Sequence, residues 1–268
     1  MRKYTLNEFY FDVIDNEAKA YFLGFLYADG NHCVKKNRIT IGLQERDKYI
    51  LEEFNRMINS NRPIVFKSKE LLNKRKGFTN CQNQYYLNIN SKHMSQSLLK
   101  LGLFNNKTFI LKFPTEDQVP EFLQSHFIRG YIDGDGCVEK KGVSFMGTFD
   151  FCSKIKEIAK NKLNVNFYYR FKCTYPISEF TLKNKSARTF LKWIYQDSTI
   201  YLKRKYLRFL EQLQYEHDIK KLRLCCVEGC NTLQRSMNYC QHHYDQVRKK
   251  NKIFELKKEI IWIKCPNM

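Results

Sequence analysis

The chain has 268 residues, enough for one large or two small hydrophobic cores with a small appendage. It carries 47 Lys+Arg against 27 Asp+Glu, a formal net charge of +20, with the bases spread along its length and aromatics at 15%. That balance points to a polyanionic partner, nucleic acid above all, and not to a membrane surface, because no long amphipathic helix with a Lys/Arg face stands out.

The first predicted element is a helix ending in "AYFLGFLYADG". A strand at residues 38–43 follows, then a helix opened near Glu45 to Asp47. A basic, polar turn region, "KSKELLNKRKGFTNCQNQ", leads to the strand "YYLNINS" and to a helix, "KHMSQSLLKLG", that stops on Gly102 as a C-cap. "LFNNKTFILKFP" and the Pro-containing link "PTEDQVPEF" precede a second helix of the first kind, "SHFIRGYIDGDG". The order then recurs: strand "GVSFMG", helix "DFCSKIKEIAKNKL", strands "NFYYRFKCT" and "SEFTLKN", helix "SARTFLKWIYQ", and a basic segment, "YLKRKYLRFLEQL". This is an internal repeat with an acidic motif opening each unit, and it predicts pseudo-two-fold symmetry in a monomer, a match for a near-symmetric duplex.

The two motifs align glycine on glycine. Gly24 matches Gly130, Ala28 matches Gly134, Asp29 matches Asp135 and Gly30 matches Gly136, the acids lying 106 residues apart. Small residues four apart share one helix face and let two backbones approach closely. Packed through those faces, the helices set Asp29 and Asp135 side by side, each at the partially negative end of its helix. Two such carboxylates do not both ionise without a cation, and oxygen ligands suit Mg²⁺. A lone Asp-Gly after a helix is an ordinary cap and turn; two matching copies point to function.

On these motifs and their flanks, residues 16–213 resemble the LAGLIDADG homing endonucleases in their single-chain, two-motif form. The resemblance includes "DNEAKAYFLGFLYADG", "LNINSKHMSQSLLKLGLFNNKT", "FIRGYIDGDG" and "YLKRKYLRF", and departs from the name motif at Tyr27, where the second copy has Asp133. It implies an α+β fold of two αββαββα repeats, at residues 1–115 and 116–220, whose antiparallel sheets form a saddle in the DNA major groove. It also implies that Asp29 and Asp135, with the backbone carbonyls of Ala28 and Gly134, bind Mg²⁺ or Mn²⁺ for phosphodiester hydrolysis. Gln44, Lys107, Lys203 and Lys205 are the implied residues at the edge of the site. Base contacts would come from alternating strand residues such as Arg38 and Thr40, or from "YYRFK", where Tyr169 and Phe171 alternate with Arg170 and Lys172 and either set could face the core. Phosphate contacts would come from the basic loop at residues 67–76.

No apolar run reaches the length of a membrane span, and "MRKYTLNEFYF" has no signal-peptide core, which places the chain in the cytoplasm or an organellar matrix. Its ten cysteines are then no disulfide framework. Four fall between Cys225 and Cys240, in "CCVEGCNTLQRSMNYCQHH". Cys225 or Cys226, Cys230, Cys240, and His242 or His243 have the spacing of a tetrahedral structural zinc site. The segment also resembles a short zinc-binding module written C-x-V-x-G-C … C-x-x-H-Y, which selects Cys225 and His243 and makes residues 221–268 a Zn²⁺ module with a basic tail. Arg248, Lys249, Lys250 and Lys252 would lie on phosphates. The leading expectation is a site-specific double-strand DNA endonuclease; an RNA maturase and a non-catalytic DNA-binding regulator are the alternatives on the same fold.

Overall fold

The computed structural model describes residues 3–76, 82–171, 176–219, 222–223, 225–230, 232–250 and 262–263. Lys172 and Lys252, two of the expected nucleic-acid contacts, lie outside these residues. The chain divides into two compact units, Met1–Phe209 and Leu210–Met268. No described helix is long and apolar enough to cross a membrane.

The first unit runs α1 (Glu17–Asp29), β1 (Gly30–Cys33), β2 (Arg38–Gln44), α2 (Lys48–Met57), β3 (Val65–Lys67), α3 (Lys69–Lys76), β4 (Gln84–Asn90) and α4 (Lys92–Lys100). The order repeats as α5 (Gln124–Asp135), β5 (Cys137–Glu139), β6 (Gly142–Gly147), α6 (Phe149–Leu163), β7 (Tyr168–Phe171), β8 (Ser178–Lys183) and α7 (Asn184–Tyr195), followed by α8 (Lys203–Ile219), whose residues from Leu210 on belong to the second unit. Each half is αββαββα, with α3 added to the first. The strands form two antiparallel sheets, ordered β1-β2-β4-β3 and β5-β6-β8-β7. The fold is α+β, as the sequence leads one to expect.

Local chemistry sets the element boundaries. Asn16 and Ser91 cap α1 and α4, their side chains accepting from Lys19 N at 3.1 Å and Met94 N at 3.2 Å. Gly102, at φ +87°, ends α4 in a Schellman turn: Leu103 N donates to Leu98 O and Gly102 N to Leu99 O. The sheets alternate as period-2 strands should: Ile39, Ile41 and Leu43 of β2 are buried, as are Leu87 and Ile89 of β4. In the second sheet Tyr169 joins a ring cluster with Phe149 and buried Phe180, which leaves Arg170 on the solvent side and settles the alternation of "YYRFK".

Two differences from the sequence reading have simple causes. β1, β3 and β5 are only three or four residues long, too short for an alternation to show. α3 forms where a turn region is expected, because "KELLNKRK" is mostly straight-chain helix formers without Gly or Pro.

The core is organised by α1 against α5. Residues Ala20 to Ala28 are all buried, so α1 is enclosed on every side. The two helices touch through their small residues. A Cβ on Gly24 would lie 1.9 Å from Phe127 O, and one on Gly130 would lie 2.0 Å from Tyr21 O. Gly134 faces Ala28, whose Cβ would be 2.2 Å from an added Cβ. At Gly24 and Gly130 only backbone fits between these helices. A buried ion pair fixes their rotation: Arg129, fully enclosed, donates through Nη2 to Glu17 Oε1 at 2.6 Å. Glu17 also accepts from Thr199 N at 2.7 Å and Ile200 N at 3.2 Å, and Arg129 donates to Ile194 O and Ile200 O. This ties the segment between α7 and α8 to both helices.

The second unit contains a short antiparallel pair, β9 (Leu222–Arg223) with β10 (Trp262–Ile263), and α9 (Gln241–Lys250).

The helix contact makes Gly130→Ala destabilising by about 1–3 kcal/mol through overpacking alone, and Gly130→Leu more so. Thermal melts check this; an Ala variant with an unchanged melting temperature would show that the backbones do not touch there.

Candidate functional site

α1 and α5 end together, and each delivers its motif aspartate to the same place. Gly134, beside Asp135, sits close enough that an added Cβ would be 3.4 Å from Asp29 Oδ2. Both carboxylates open onto solvent, but from a recess walled by protein. Burial pushes the Asp29 carboxyl up to about 6, and Asp135 adds to the shift by repulsion. Lys205, Lys107 and Arg204 oppose it. Asp135 is raised by burial too, against the opposing charges of Lys107 and Lys205. This is a carboxylate pair whose double ionisation is costly, as two acids at two negative helix ends should be.

Two lysines supply the internal compensation. Lys107 Nζ donates to Ala28 O and Gly30 O, both at 2.8 Å. Lys205, only 3% exposed, donates to Gly134 O at 3.3 Å and Gly136 O at 2.5 Å, the same two positions in the second motif. It also reaches Ile132 O and Asp133 O, each at 2.7 Å. Each ammonium therefore neutralises the carbonyl end of its own half's helix. Of the two exposed acids, Lys205 leads the opposing charges at Asp29 and Lys107 leads them at Asp135, while the strongest acid partner of Lys205 is buried Asp133. Burial lowers both lysines, Lys205 to about 8.

The approach of each lysine is set by a further group of side chains. In the first half the Tyr27 hydroxyl donates to Leu101 O, and buried His32 bonds Leu103 O at 2.8 Å and Ser95 Oγ at 2.7 Å. These hold the segment that carries Lys107. In the second half Asp133 is fully enclosed and accepts from Tyr21 Oη at 3.0 Å, Tyr195 Oη at 2.9 Å and Leu202 N at 2.7 Å. Burial raises its pKa. It anchors the turn that presents Lys205, and it stands where the first half has Tyr27.

The remaining candidates are placed differently. Lys203 is exposed, with its ammonium over the Tyr49 ring at 4.7 Å from the centroid. Its neighbour Arg204 adds a weaker charge at Asp29 than Lys205 and Lys107 do, while its Nε donates to buried Asp47 at 3.1 Å. Gln44 is half-buried at the end of β2, opposite Gln84. Strand register puts Thr148 at the corresponding place in the second half, and Thr148 instead caps α6 and donates to Leu111 O at 2.5 Å.

As a donor set, two adjacent carboxylates and the carbonyls of Ala28 and Gly134 suit a hard divalent cation. Each carbonyl that accepts from a lysine retains a second lone pair.

The second unit gathers a different donor set. One ligand atom each from Cys225, Cys230, Cys240 and His243 lies within 4.8 Å of the others. Cys225 Sγ is 3.1 Å and Cys240 Sγ 3.4 Å from His243 Nδ1, and the sulfurs of Cys230 and Cys240 are 4.0 Å apart. A tetrahedral site has edges of about 3.5 Å for sulfur to nitrogen and about 3.8 Å for sulfur to sulfur, so these groups could hold a metal ion that favours thiolates. The scaffold is a tight hairpin whose turn residues Met237 and Asn238 both have positive φ, closed by Tyr239 N on Ser236 O at 2.9 Å. The fallback residues are engaged elsewhere: Gln246 Nε2 contacts His242 Nε2 at 2.8 Å, and Cys226 lies against Tyr239.

Cys240→Ser, or a strong chelator, is expected to unfold this small unit, since its core is little more than Cys225, Val227 and Cys240. Hydrogen exchange across residues 225–250 reads the loss; protection unaffected by chelator would mean that no metal holds the hairpin.

No protein-family model and no curated protein matches the sequence. Solved structures do match its fold. The homing endonuclease I-WcaI bound to its DNA recognition sequence is 12% identical, with a TM-score of 0.51 over 74% of this chain and 87% of that chain. Full-length DUF199/WhiA from Thermatoga maritima is 14% identical (TM-score 0.45, 80% of this chain, 73% of that one). The I-LtrWI LAGLIDADG homing endonuclease bound to target DNA is 11% identical (TM-score 0.47, 80% and 92%). At such identities the similarity shows the fold alone, and the fold is that of the LAGLIDADG proteins.

Proposed function

We propose that the protein is a site-specific double-strand DNA endonuclease, a single chain whose two halves each contribute one acid to a shared metal centre. The observation that carries this reading is the juxtaposition of Asp29 and Asp135 at the ends of two helices packed backbone to backbone, with the Asp29 carboxyl pushed up to about 6. A pair held together at that cost calls for a divalent cation, Mg²⁺ or Mn²⁺. When bound, the ions supply Lewis-acid polarisation of the phosphate and an activated water, one cut for each strand.

The chain's own residues do the rest. Asp29 and Asp135 bind the metal, with Ala28 O and Gly134 O as further oxygen donors. Lys107 and Lys205, held rigidly against the helix ends, place positive charge where the scissile phosphates develop negative charge. Gln44 orients water on the first side. Lys203 and the basic β3–α3 stretch at residues 67–76 act on the DNA backbone. The +20 chain draws in the duplex, and the two sheets lie along it as a saddle. The Cys225–Cys230–Cys240–His243 cluster binds structural Zn²⁺, and Arg248 beyond it adds a phosphate contact.

One observation favours a second reading. Lys107 and Lys205 already set two positive charges against the two acids, which would let the site stand without metal in a non-catalytic DNA-binding regulator. Incubation with a randomised duplex library and Mg²⁺, followed by sequencing of cut ends, separates the two. The nuclease reading expects a defined cut site, lost in Asp29→Asn and in Asp135→Asn while binding in Ca²⁺ persists. Sequence-selective retention of duplex without cutting would instead establish the regulator.

A further inference from the structure

The solvent-facing ladders of the two sheets differ in chemistry although their strand order is the same. On the first sheet, register aligns Asn31, Thr40 and Asn88 across β1, β2 and β4, and Gln44, Gln84 and Lys67 across β2, β4 and β3. Among the described residues this face carries no carboxylate. Two carboxamides are oriented from within the face. Thr40 Oγ1 donates to Asn88 Oδ1 at 2.8 Å, and the Tyr86 hydroxyl donates to Gln84 Oε1. Each amide oxygen keeps a lone pair beside its NH₂ group. An acceptor next to a donor is the pattern complementary to adenine's major-groove edge, N6–H₂ and N7.

The second sheet presents acids. Glu179 on β8 faces Arg170 on β7, which donates to Glu179 Oε2 through Nε at 2.8 Å and Nη2 at 2.7 Å. Arg170 is 75% exposed and Glu179 only 21%, so the acid forms the floor and the guanidinium the rim. With Ser144, Tyr168 and Thr181 they line an open groove. A carboxylate facing duplex DNA is repelled by phosphate unless it accepts from a base amino group, and cytosine N4 is its partner; guanine O6 and N7 are the partners of arginine. An Arg–Glu pair fixed on adjacent strands matches a G·C pair.

We propose, resting on the reading of this chain as a duplex-DNA binder, that four side chains on its two sheets set base preference. Asn88 and Gln84 select adenine in one half, and the Arg170–Glu179 pair selects G·C in the other.

The test is selection of randomised duplexes by the full chain in Ca²⁺, which separates binding from cutting. Base preferences are read for the wild type, Asn88→Ala and Glu179→Ala. The wild type should give one half-site enriched in adenine at the contacted positions and the other with a fixed G·C. Asn88→Ala should relax the adenine preference by about ten-fold and leave the other half unchanged, and Glu179→Ala the reverse. Both positions are half-buried on the solvent-facing side of their sheets, and a melting curve verifies that each variant is folded. Duplexes retained with the same base composition in both halves, or preferences unmoved by both variants, would overturn the inference and leave DNA binding standing. No duplex retained at all would overturn the DNA-binding reading and this inference with it.

Discussion

The backbone contact between α1 and α5 is the constraint from which the rest follows. With Gly24 against Phe127 O and Gly130 against Tyr21 O, no side chain separates the helices, and their ends must converge. Because each motif terminates in an acid, convergence brings together two carboxylates and two sets of unpaired carbonyls. The geometry that builds the core thereby creates an electrostatic conflict at its rim. A protein selected for stability alone would have relieved it by replacing one acid.

The conflict is met from two directions. From inside, Lys107 and Lys205 occupy equivalent places on the two helix ends, reached by segments that Tyr27, His32, Asp133 and Glu17 hold in position. From outside, the open side of the recess leaves the carboxylates accessible to a cation. The halves are unequal in this. Lys205 is the more deeply seated and reaches four carbonyls, whereas Lys107 reaches two. Asp133 replaces Tyr27, and Thr148 replaces Gln44. A fold with near two-fold symmetry thus surrounds a site whose two sides are chemically distinct, and the sheets continue that asymmetry.

Much of this could be read from the sequence, because the signals are local and repeated. Glycines four apart and Asp-Gly at matching places locate the helix interface and the acid pair. The four-residue and two-residue gaps around Cys225, Cys230, Cys240 and His243 locate the Cys/His cluster. The positioning groups are another matter. Glu17 and Arg129 meet across 112 residues, as do Tyr21 and Asp133, and nothing near either partner marks the other. The lysines show the same limit from a different side. Lys203 and Lys205 are equally basic in sequence, but both lie on α8, where residues two apart point to opposite faces. Only Lys205 turns inward, while Lys203 stacks on Tyr49. Asp133 is the third acid of the two motifs, and its complete burial and three donors show it to be an anchor.

The central claim is that Asp29 and Asp135 form one cation site created by helix packing. Its most direct test is Mn²⁺ binding to the full chain, followed by electron paramagnetic resonance, in the wild type and in the double variant Asp29→Asn/Asp135→Asn. The Cys/His cluster is common to both proteins and cancels in the comparison. The wild type should take up Mn²⁺ that the double variant does not, and the variant should melt no lower, since it loses a repulsion and no packing. Equal Mn²⁺ uptake by the two proteins, or none by the wild type, would contradict the account.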